Sequence, residues 1–480
     1  MKSKSIFNRV TAIVMGGCML LSLAGCSANG ANNSGNKGGQ DSIVQTDESA
    51  KESGNEGAIT EITFWHSMDT SFGETLDKQI QNFNNTVGAE KNIKVSSVFQ
   101  SYPGTEALNA AMSSDDIANM PDVIQLYGES VSLVRDYERT VWAEDKITSP
   151  DASLNKEDLI PNALASFTID DKLIGVPYNM ACYLLYYNET QLKEAGFIEP
   201  PKTIAEMAEM LPVLVEKTEA DYGLNVRINM NEMINFIESQ GSTGAFFGNN
   251  KNGHDGHMTE LQCIEDGTLK NFINEWGKVI DSNAYKAVRD SINEEFAAEM
   301  HSMVIMSSSR VQIINDLVQD SFEWGIAAVP TVNENDCGGS FPTGSGLFML
   351  DRDDPVKTDA AWEFVQYMAS PEIQAEWLET TGYVPTNIKA LDTDIYKDSV
   401  AQNPKLAIPY EVLSASPADM TCPFTPNYSA VDTLIKDTMI SFANKEMNAD
   451  EVYEALVDGS KKIFDEYYRS NPIEQIDLMN

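Results

Sequence analysis

The sequence predicts an α/β fold, and three observations support that prediction. Across residues 59–480, segments with the alternation of a β-strand take turns with segments that have the apolar period of a helix. The first three strand-like segments are each separated by helix, which is the order of parallel strands joined by crossovers. The composition, with 42% hydrophobic and 22% charged residues, is that of a globular chain and excludes a wholly disordered or fibrous one.

Three strands are predicted first, at residues 59–65, 93–99 and 121–127. The segment 59–65, Ile-Thr-Glu-Ile-Thr-Phe-Trp, alternates apolar and polar side chains as a half-buried strand does. In open sheets of parallel strands, ligands bind beyond the carboxyl ends of the strands. The loops that follow these strands are therefore the first places to search for a binding site.

Two later helices have predictable ends. Asn448 followed by Glu451 has the spacing of a capping box. Ser370 before Pro371 is typical of an N-cap and a first-turn proline, and Gly382 is typical of the residue that ends such a helix. These signals place a helix after position 370 and a long one after position 448.

The first 58 residues differ from the rest of the chain. A basic start and an uncharged apolar stretch predict a secretory signal peptide over residues 1–25. Its last three residues and the residue that follows, Leu-Ala-Gly-Cys, resemble a bacterial lipobox. At a lipobox, signal peptidase II cuts before the cysteine, which is then acylated. We therefore expect Cys26 to be lipidated and to hold the protein on the extracytoplasmic face of the cell membrane. Residues 26–58 are rich in Ser, Asn and Gly, which predicts a disordered tether.

The charge excludes one class of partner. With 33 Lys+Arg and 73 Asp+Glu, the formal net charge is −40. Such a polyanion repels the phosphate backbone of nucleic acids, so we expect no nucleic-acid partner. An anionic membrane surface repels it as well, so acyl chains rather than charge would hold it at a membrane.

Cysteines and histidines give no sign of a metal site. Cys182, Cys263, Cys337 and Cys422 are far apart, without C-x-x-C pairs, and lack the spacing of zinc ligands. We expect mostly free, buried thiols, although disulfides stay open. The run 254–257, His-Asp-Gly-His, offers no third ligand and is predicted to be a surface loop. No metal and no cofactor are expected.

Enzyme motifs are missing from the sequence. There is no G-x-S-x-G, no G-x-G-x-x-G, no P-loop and no H-E-x-x-H. A tethered glycosidase stays open as an alternative, because two suitably spaced carboxylates among many acidic residues leave no motif. A lipoprotein that presents a ligand to a membrane receptor is a further alternative, since it would have the same fold.

Seven short runs carry a resemblance to a known family, and they occur in this order: Phe64–Met68 (FWHSM), Pro121–Gln125 (PDVIQ), Gly175–Tyr178 (GVPY), Leu185–Asn188 (LYYN), Pro200–Thr203 (PPKT), Gly344–Gly346 (GSG) and Thr381–Pro385 (TGYVP). By these runs the chain resembles the extracellular solute-binding proteins, family 1, of carbohydrate ABC importers. The resemblance extends over essentially all of residues 59–480. The first and last runs are most similar to the branch that binds glycerol 3-phosphate.

That resemblance implies a periplasmic-binding-protein-like fold with two discontinuous lobes around a hinge. Lobe one is expected at 59–175 and 331–380, and lobe two at 176–330 and 381–480. It also implies a function without catalysis. A monomer captures a carbohydrate between the lobes, closes on it and delivers it to the permease subunits of an ABC transporter.

Sugars are bound by aromatic faces and by planar polar groups that contact their hydroxyls. Residue type, position after a strand and the resemblance together give the candidate ligand contacts: Trp65, His66, Ser67, Tyr102, Tyr127, Glu129, Asn179, Ser309, Arg310, Gly344 and Tyr383. Alternatives stay open for three of them. Trp65 also suits the core, His66 also suits a helix cap, and Arg310 also suits a surface ion pair.

The chain departs from the glycerol-3-phosphate branch at three places. The glutamate expected directly after Tyr127 is one position later, at Glu129, and the serine pair expected at 180–181 is Met-Ala. Residues 420–435 contain no arginine, although the resemblance implies one there for the phosphate. Arg310 replaces that arginine only if it reaches the cleft. We therefore expect a neutral saccharide, with glycerol 3-phosphate or a glycerophosphodiester as the alternative ligand.

Overall fold

The computed structural model describes residues 57–114 and 116–473. The predicted signal peptide, Cys26 and nearly all of the predicted tether lie outside the described residues. The strands are β1 (Thr60–His66), β2 (Ile93–Phe99), β3 (Val123–Tyr127), β4 (Thr140–Val141), β5 (Thr168–Ile169), β6 (Lys172–Leu173), β7 (Val176–Ala181), β8 (Tyr183–Asn188), β9 (Tyr222–Asn225), β10 (Tyr285–Lys286), β11 (His301–Ser307), β12 (Trp324–Ala328) and β13 (Thr343–Leu350).

The helices surround the sheets and vary widely in length. They are α1 (Thr70–Asn85), α2 (Val87–Lys91), α3 (Thr105–Ser114), α4 (Ser132–Arg135), α5 (Ala143–Ile147), α6 (Pro161–Ala165), α7 (Glu189–Ala195), α8 (Ile204–Lys217), α9 (Met230–Glu238), α10 (Asn249–Gly253), α11 (Gln262–Glu265), α12 (Thr268–Asp281), α13 (Ile292–Ala297), α14 (Val311–Val318), α15 (Pro355–Met368), α16 (Pro371–Thr381), α17 (Asp394–Gln402), α18 (Ile408–Ala415), α19 (Tyr428–Ala443) and α20 (Ala449–Ser470). Short 3₁₀ turns lie at Ile117–Asn119, Gly128–Ser130, Lys156–Asp158, Ser308–Arg310, Ile388–Asp392 and Pro404–Ala407. The segment α10 is a left-handed turn rather than a true helix, because its three central residues have positive φ angles.

Two mixed sheets organise the fold, which confirms the predicted α/β class. The first sheet has the order β2-β1-β3-β13-β4, with β7 also paired to β13. Its strands β1, β2 and β3 are parallel, as the sequence predicts, and the three segments match the predicted strands within two residues. The second sheet has the order β10-β9-β11-β8-β12, in which β10, β9 and β11 are parallel.

Two hydrophobic core clusters pack on the sheets, and the first contains residues of both, such as Phe64 of β1 and Tyr186 of β8. The first core cluster packs α1 and α15 on the first sheet, with Phe364 lying 5.3 Å from both Phe64 and Phe83 between ring centroids. The second core cluster contains Trp276, fully buried beside Phe236 at 5.3 Å. These apolar contacts make both sheets rigid supports for the loops at their edges.

The predicted helix ends are found in the structure. The Asn448 side chain accepts hydrogen bonds from the Asp450 and Glu451 amides, and the Glu451 carboxylate accepts one from the Asn448 amide at 2.8 Å. Pro371 begins α16, and Gly382 ends it with a φ of 78°. In the described part of the chain, no helix is long and apolar enough to cross a membrane.

The chain passes between the two sheets at Cys182, which separates β7 from β8, and again between β12 and β13. The lobe boundaries given above stay a prediction. The packing favours a later first boundary, because β7 pairs with β13 of the first sheet.

Candidate ligand-binding site

A cavity of about 510 Å³ lies where loops after strands of both sheets meet. That volume falls within the range of roughly 300–1,000 Å³ that is usual for small-molecule sites. The residues that line it are Ser67, Met68, Asp69, Phe72, Tyr102, Tyr127, Glu129, Ala181, Tyr183, Arg227, Asn231, Arg289, Ser307, Ser309, Arg310, Phe341, Thr343, Gly344, Tyr383 and Cys422. Eight of the eleven sequence candidates are among them.

One wall comes from the loops after β1, β2 and β3. Ser67 follows β1, Tyr102 follows β2, and Tyr127 is the last residue of β3. Because these strands are parallel, their carboxyl ends meet at the same edge of the sheet. The sheet topology therefore brings together residues that lie up to 60 positions apart in sequence.

Two tyrosines and one glutamate form an interconnected group on this wall. The Tyr102 hydroxyl donates a hydrogen bond of 2.8 Å to Glu129 Oε1, and the Tyr102 ring meets the Tyr127 ring edge-on at 4.9 Å. Burial raises the pKa of Glu129 above its usual range. The negative charge of Glu129 is the main reason that the pKa of Tyr102 is raised. The group thus offers aromatic surface beside a hydrogen-bond acceptor, which suits a hydroxylated ligand.

Tyr383 is positioned by the end of α16. Its ring stacks on Trp377 at 5.8 Å with an interplanar angle of 9°, and it lies 5.6 Å from the Phe72 ring. Burial raises the pKa of its hydroxyl. Because aromatic neighbours hold the ring on two sides, only its remaining surface is open to a ligand.

Gly344 lies at the start of β13, where its backbone passes very close to that of β7. A Cβ atom at this position would overlap the Asn179 carbonyl oxygen, and the φ angle is 119°. Only glycine adopts this conformation without strain. The close approach leaves the Gly344 backbone on the cavity wall without a side chain to fill the space.

Trp65 and His66 lie off the cavity wall, in contrast to the expectation. Strand β1 extends one residue further than predicted, to His66, so Trp65 remains within the strand and packs against the first core cluster. The His66 ring is buried 5.6 Å from Phe64, and its Nδ1 accepts a hydrogen bond of 3.3 Å from the Met68 amide. Burial lowers the pKa of His66.

Asn179 also lies off the wall, because its strand is covered on both sides. It belongs to β7 and is fully buried. Its Oδ1 accepts hydrogen bonds from Ser345 Oγ and, at 3.2 Å, from Gln125 Nε2. These bonds fasten β7 to β3 and β13, so we assign Asn179 to the support of the cavity rather than to its surface.

Two arginines on the wall were missed by the sequence analysis. Arg227 follows β9 and Arg289 follows β10, so both obey the rule that sites lie after parallel strands. Strands β9 and β10 are four and two residues long, too short to show an alternating pattern. The expectation of a neutral ligand rested on the absence of arginine from residues 420–435. Because Arg227, Arg289 and Arg310 all line the cavity, a shortage of cations no longer supports that expectation.

His254 was predicted in a surface loop, and this is wrong. Its ring is half-buried, with Nδ1 2.8 Å from the Thr168 carbonyl oxygen and Nε2 2.9 Å from the Cys422 carbonyl oxygen. The ring also lies 4.0 Å from the Phe424 ring. Its hydrogen-bond partners are 86 and 168 positions away in the sequence, which a local sequence pattern does not reveal.

The four described cysteines are free thiols, and Cys182, Cys263 and Cys422 are buried as expected. Cys337 is exposed and is the exception. Cys422 lines the cavity, and burial raises the pKa of its thiol well above the usual value. It therefore contributes a small neutral surface to the wall.

Comparisons with known proteins agree with this architecture. Residues 78–407 match the family model of bacterial extracellular solute-binding proteins. The sn-glycerol-3-phosphate-binding periplasmic protein UgpB of Yersinia pseudotuberculosis is 26% identical over 365 residues, which is 73% of this chain and 80% of the relative.

Two solved structures share the fold at low sequence identity. The sugar-binding protein MalE from Xanthomonas citri has a TM-score of 0.71 at 18% identity, covering 87% of this chain and 100% of that one. UgpB from Mycobacterium tuberculosis, solved in complex with glycerophosphocholine, has a TM-score of 0.70 at 18% identity, covering 86% and 99%. Since the family model matches more than half of the sequence, the chain belongs to the bacterial extracellular solute-binding proteins.

Proposed function

We propose that this protein is the substrate-binding subunit of an ABC importer and that it captures a carbohydrate in the 510 Å³ cavity. The observation that carries the proposal is the composition of the wall. Aromatic rings of Tyr102, Tyr127 and Phe72 stand beside the polar groups of Glu129 and Ser309. Aromatic rings cover the C–H surface of a sugar, and polar side chains bind its hydroxyls.

Capture operates through closure of the two lobes. The cavity is lined by residues of the first sheet, such as Tyr127, and by residues of the second sheet, such as Tyr183. A ligand that contacts both sides binds the closed arrangement more tightly than the open one, and that difference in affinity drives closure. The closed monomer then docks on the permease and releases the carbohydrate to it.

The protein works at the outer face of the cell membrane. We propose that acyl chains on Cys26 anchor it there and that residues 26–58 let it reach the permease. Its acidic surface maintains solubility and keeps nucleic acids away. The relatives are binding proteins, and we assign no catalytic step to the cavity; release of reducing ends during prolonged incubation with oligosaccharides would contradict that assignment.

A thermal-shift screen tests the proposal directly. The panel contains mono- and oligosaccharides, polyols, uronates, sugar phosphates and glycerol phosphates. A ligand at a hundred times its Kd adds about 2.7 kcal/mol to the free energy of unfolding, so a true ligand raises the melting temperature. We expect at least one carbohydrate to do so. A panel without any shift, confirmed by calorimetric titration, would overturn the proposed function.

A further inference from the structure

Arginine is concentrated at this cavity. The sequence contains eight arginines, and three of them, Arg227, Arg289 and Arg310, line the cavity. The chain as a whole has a net charge of −40. When a ligand and the opposite lobe cover these arginines, each guanidinium loses hydration, which costs free energy unless an anionic partner compensates it.

The sheet topology places the three arginines together. Strands β10, β9 and β11 are neighbours in that order and run parallel. Arg289 lies three residues after β10, Arg227 two residues after β9, and Arg310 three residues after β11. All three therefore lie at the carboxyl edge of the second sheet. They face the tyrosine wall, by which we mean Tyr102 and Tyr127 beside the first sheet.

A smaller recess adjoins the cavity at the same place. It measures about 170 Å³ and also has Arg227, Arg289 and Arg310 among its lining residues, together with Tyr183 and Ser307. The recess thus joins three cations with the hydroxyl groups of Tyr183, Ser291 and Ser307, and the carboxylates of Glu232 and Glu294 also line it. This donor set matches a compact oxyanion, since guanidinium groups bind carboxylate and phosphate oxygens in pairs.

Internal carboxylates only partly compensate these cations. Arg227 Nε donates to the Asn229 side chain at 3.1 Å, a neutral partner. Arg289 lies 3.9 Å from buried Glu232, a carboxylate that also accepts a hydrogen bond of 3.2 Å from the Tyr183 hydroxyl. Arg310 has neither an ion pair nor a side-chain hydrogen bond within residues 57–114 and 116–473.

The acidic group on the opposite wall does not neutralise Arg310 either. Glu129 accepts its hydrogen bond from the Tyr102 hydroxyl, and it forms no ion pair with Arg310 among the described residues. A neutral sugar that covered Arg310 would remove water from the guanidinium and return only neutral acceptors. A ligand oxyanion would restore the lost interaction with a charge-assisted hydrogen bond.

We propose that the arginine recess is an anion subsite and that the captured carbohydrate or polyol carries a carboxylate, phosphate or sulfate group. The oxyanion pairs with Arg310, with Arg227 and Arg289 beside it, while the hydroxylated part of the ligand lies against the tyrosine wall. This inference rests on the proposed function and narrows its ligand class. It replaces the expectation of a neutral saccharide.

The test is isothermal titration calorimetry of the purified protein with matched pairs of ligands. The pairs are glucose and glucuronate, galactose and galacturonate, glucose and glucose 6-phosphate, and glycerol and glycerol 3-phosphate; inorganic phosphate and sulfate represent the anion alone. We expect the acidic member of at least one pair to bind more than about tenfold tighter than its neutral partner. The pair that shows the difference separates a carboxylate ligand from a phosphate ligand.

Substitutions show which arginines bind the anion. We expect Arg310→Gln to weaken binding of the acidic ligand by about tenfold or more. Arg289→Gln, at a side chain that is 52% exposed, should have the same effect and replaces Arg310→Gln in the test if that variant does not fold. Arg469→Gln, which removes the same charge from an exposed position in α20, is the control and should leave affinity unchanged. Higher ionic strength should weaken the acidic ligand more than a neutral one.

Two results would overturn the inference. If neutral sugars bind as tightly as their acidic partners, the proposed anion subsite is wrong, while the proposed capture of a carbohydrate is still supported. Acidic ligands whose affinity is indifferent to both arginine substitutions would also remove it. A protein that binds no member of the panel would contradict the proposed function and the anion subsite together.

Discussion

At the scale of single residues, Tyr102 shows how the cavity presents an aromatic face. The side chain is 63% exposed, yet its hydroxyl is bonded to Glu129 and its ring rests edge-on against Tyr127. A ring held in place before the ligand arrives loses little conformational entropy on binding. This combination of exposure and fixed orientation is the reason that we propose Tyr102 as a ligand contact.

Tyr102→Ala should separate affinity from stability. We expect it to weaken ligand binding by about tenfold or more, because an ordered aromatic surface is lost. The free energy of unfolding should change by less than about 0.5–1 kcal/mol, since the side chain is exposed. Calorimetric titration and urea unfolding measure the two quantities. Phe99→Ala, an exposed aromatic residue off the cavity wall, is the control; equal affinity losses in both variants would contradict the account.

A second residue, Glu238, controls how stability depends on pH. It is fully buried, and its Oε1 accepts a hydrogen bond of 2.6 Å from Asn252. Burial raises the pKa of its carboxyl group well above the usual range. As pH rises above about 4.5, the unfolded chain releases this proton while the folded protein retains it, so the carboxyl group lowers stability with increasing pH.

Glu238→Gln should therefore be more stable than the wild type at neutral pH. The amide keeps an acceptor for Asn252 and carries no charge, so the advantage should grow as pH rises from about 4.5 and shrink to nothing in acid. Urea unfolding of both proteins across this pH range measures the difference. A difference that is constant with pH would show that the carboxyl group is not protonated in the folded protein.

At the scale of elements, the contact of β7 with β13 joins the cavity wall to the first core cluster. The two strands are antiparallel, and their register shifts between Ser345 and Gly346. Gly344 lies just before this irregularity and has no room for a side chain. The close backbone contact therefore fixes this part of the cavity wall, and the absence of a side chain at Gly344 leaves space in the cavity.

Gly344→Ala should lower the free energy of unfolding by more than about 2 kcal/mol, for two reasons. The new methyl group would overlap the Asn179 carbonyl oxygen, and alanine is strained at the φ angle of this position. Gly196→Ala provides the comparison. Gly196 also has a positive φ, 92°, but nothing lies within 4 Å of its Cβ position, so only about 1 kcal/mol should be lost. Equal losses in urea unfolding would refute the steric explanation.

The elements also show what a sequence can and cannot predict. Strands β1 and β2 alternate over most of their seven residues, and β3 is a short apolar run after a proline, so the positions of these strands and of the tyrosines that follow them were predictable. Strand β11 (HSMVIMS) is buried over most of its length and lacks alternation, and β9 and β10 are very short. The arginines that follow these three strands come together only through long-range pairing, which no local pattern encodes.

At the scale of the whole molecule, the candidate cavity is lined by residues of both sheets, such as Tyr127 and Tyr183. The chain passes between the sheets at Cys182 and after β12, and the first core cluster contains residues of both sheets. The proposed closure of the two lobes would therefore change the shape of this cavity. We propose separate roles for the acidic surface, in solubility, and for the cavity arginines, in ligand selection.

Closure predicts a change in overall dimensions. Small-angle X-ray scattering should give a smaller radius of gyration when a saturating ligand is added, with a forward scattering that corresponds to a monomer throughout. A control titration with a sugar that does not bind should leave the curve unchanged. An unchanged radius of gyration at saturation would contradict the closure mechanism.

The most direct test of the central claim is a crystal structure of the protein with the tightest ligand from the panel. We predict electron density between the tyrosine wall and the arginine recess, with a ligand oxyanion within hydrogen-bond distance of the Arg310 guanidinium and a ring or polyol chain against Tyr102. Density for a specifically bound ligand at any other place on the protein, with this cavity empty, would contradict the account.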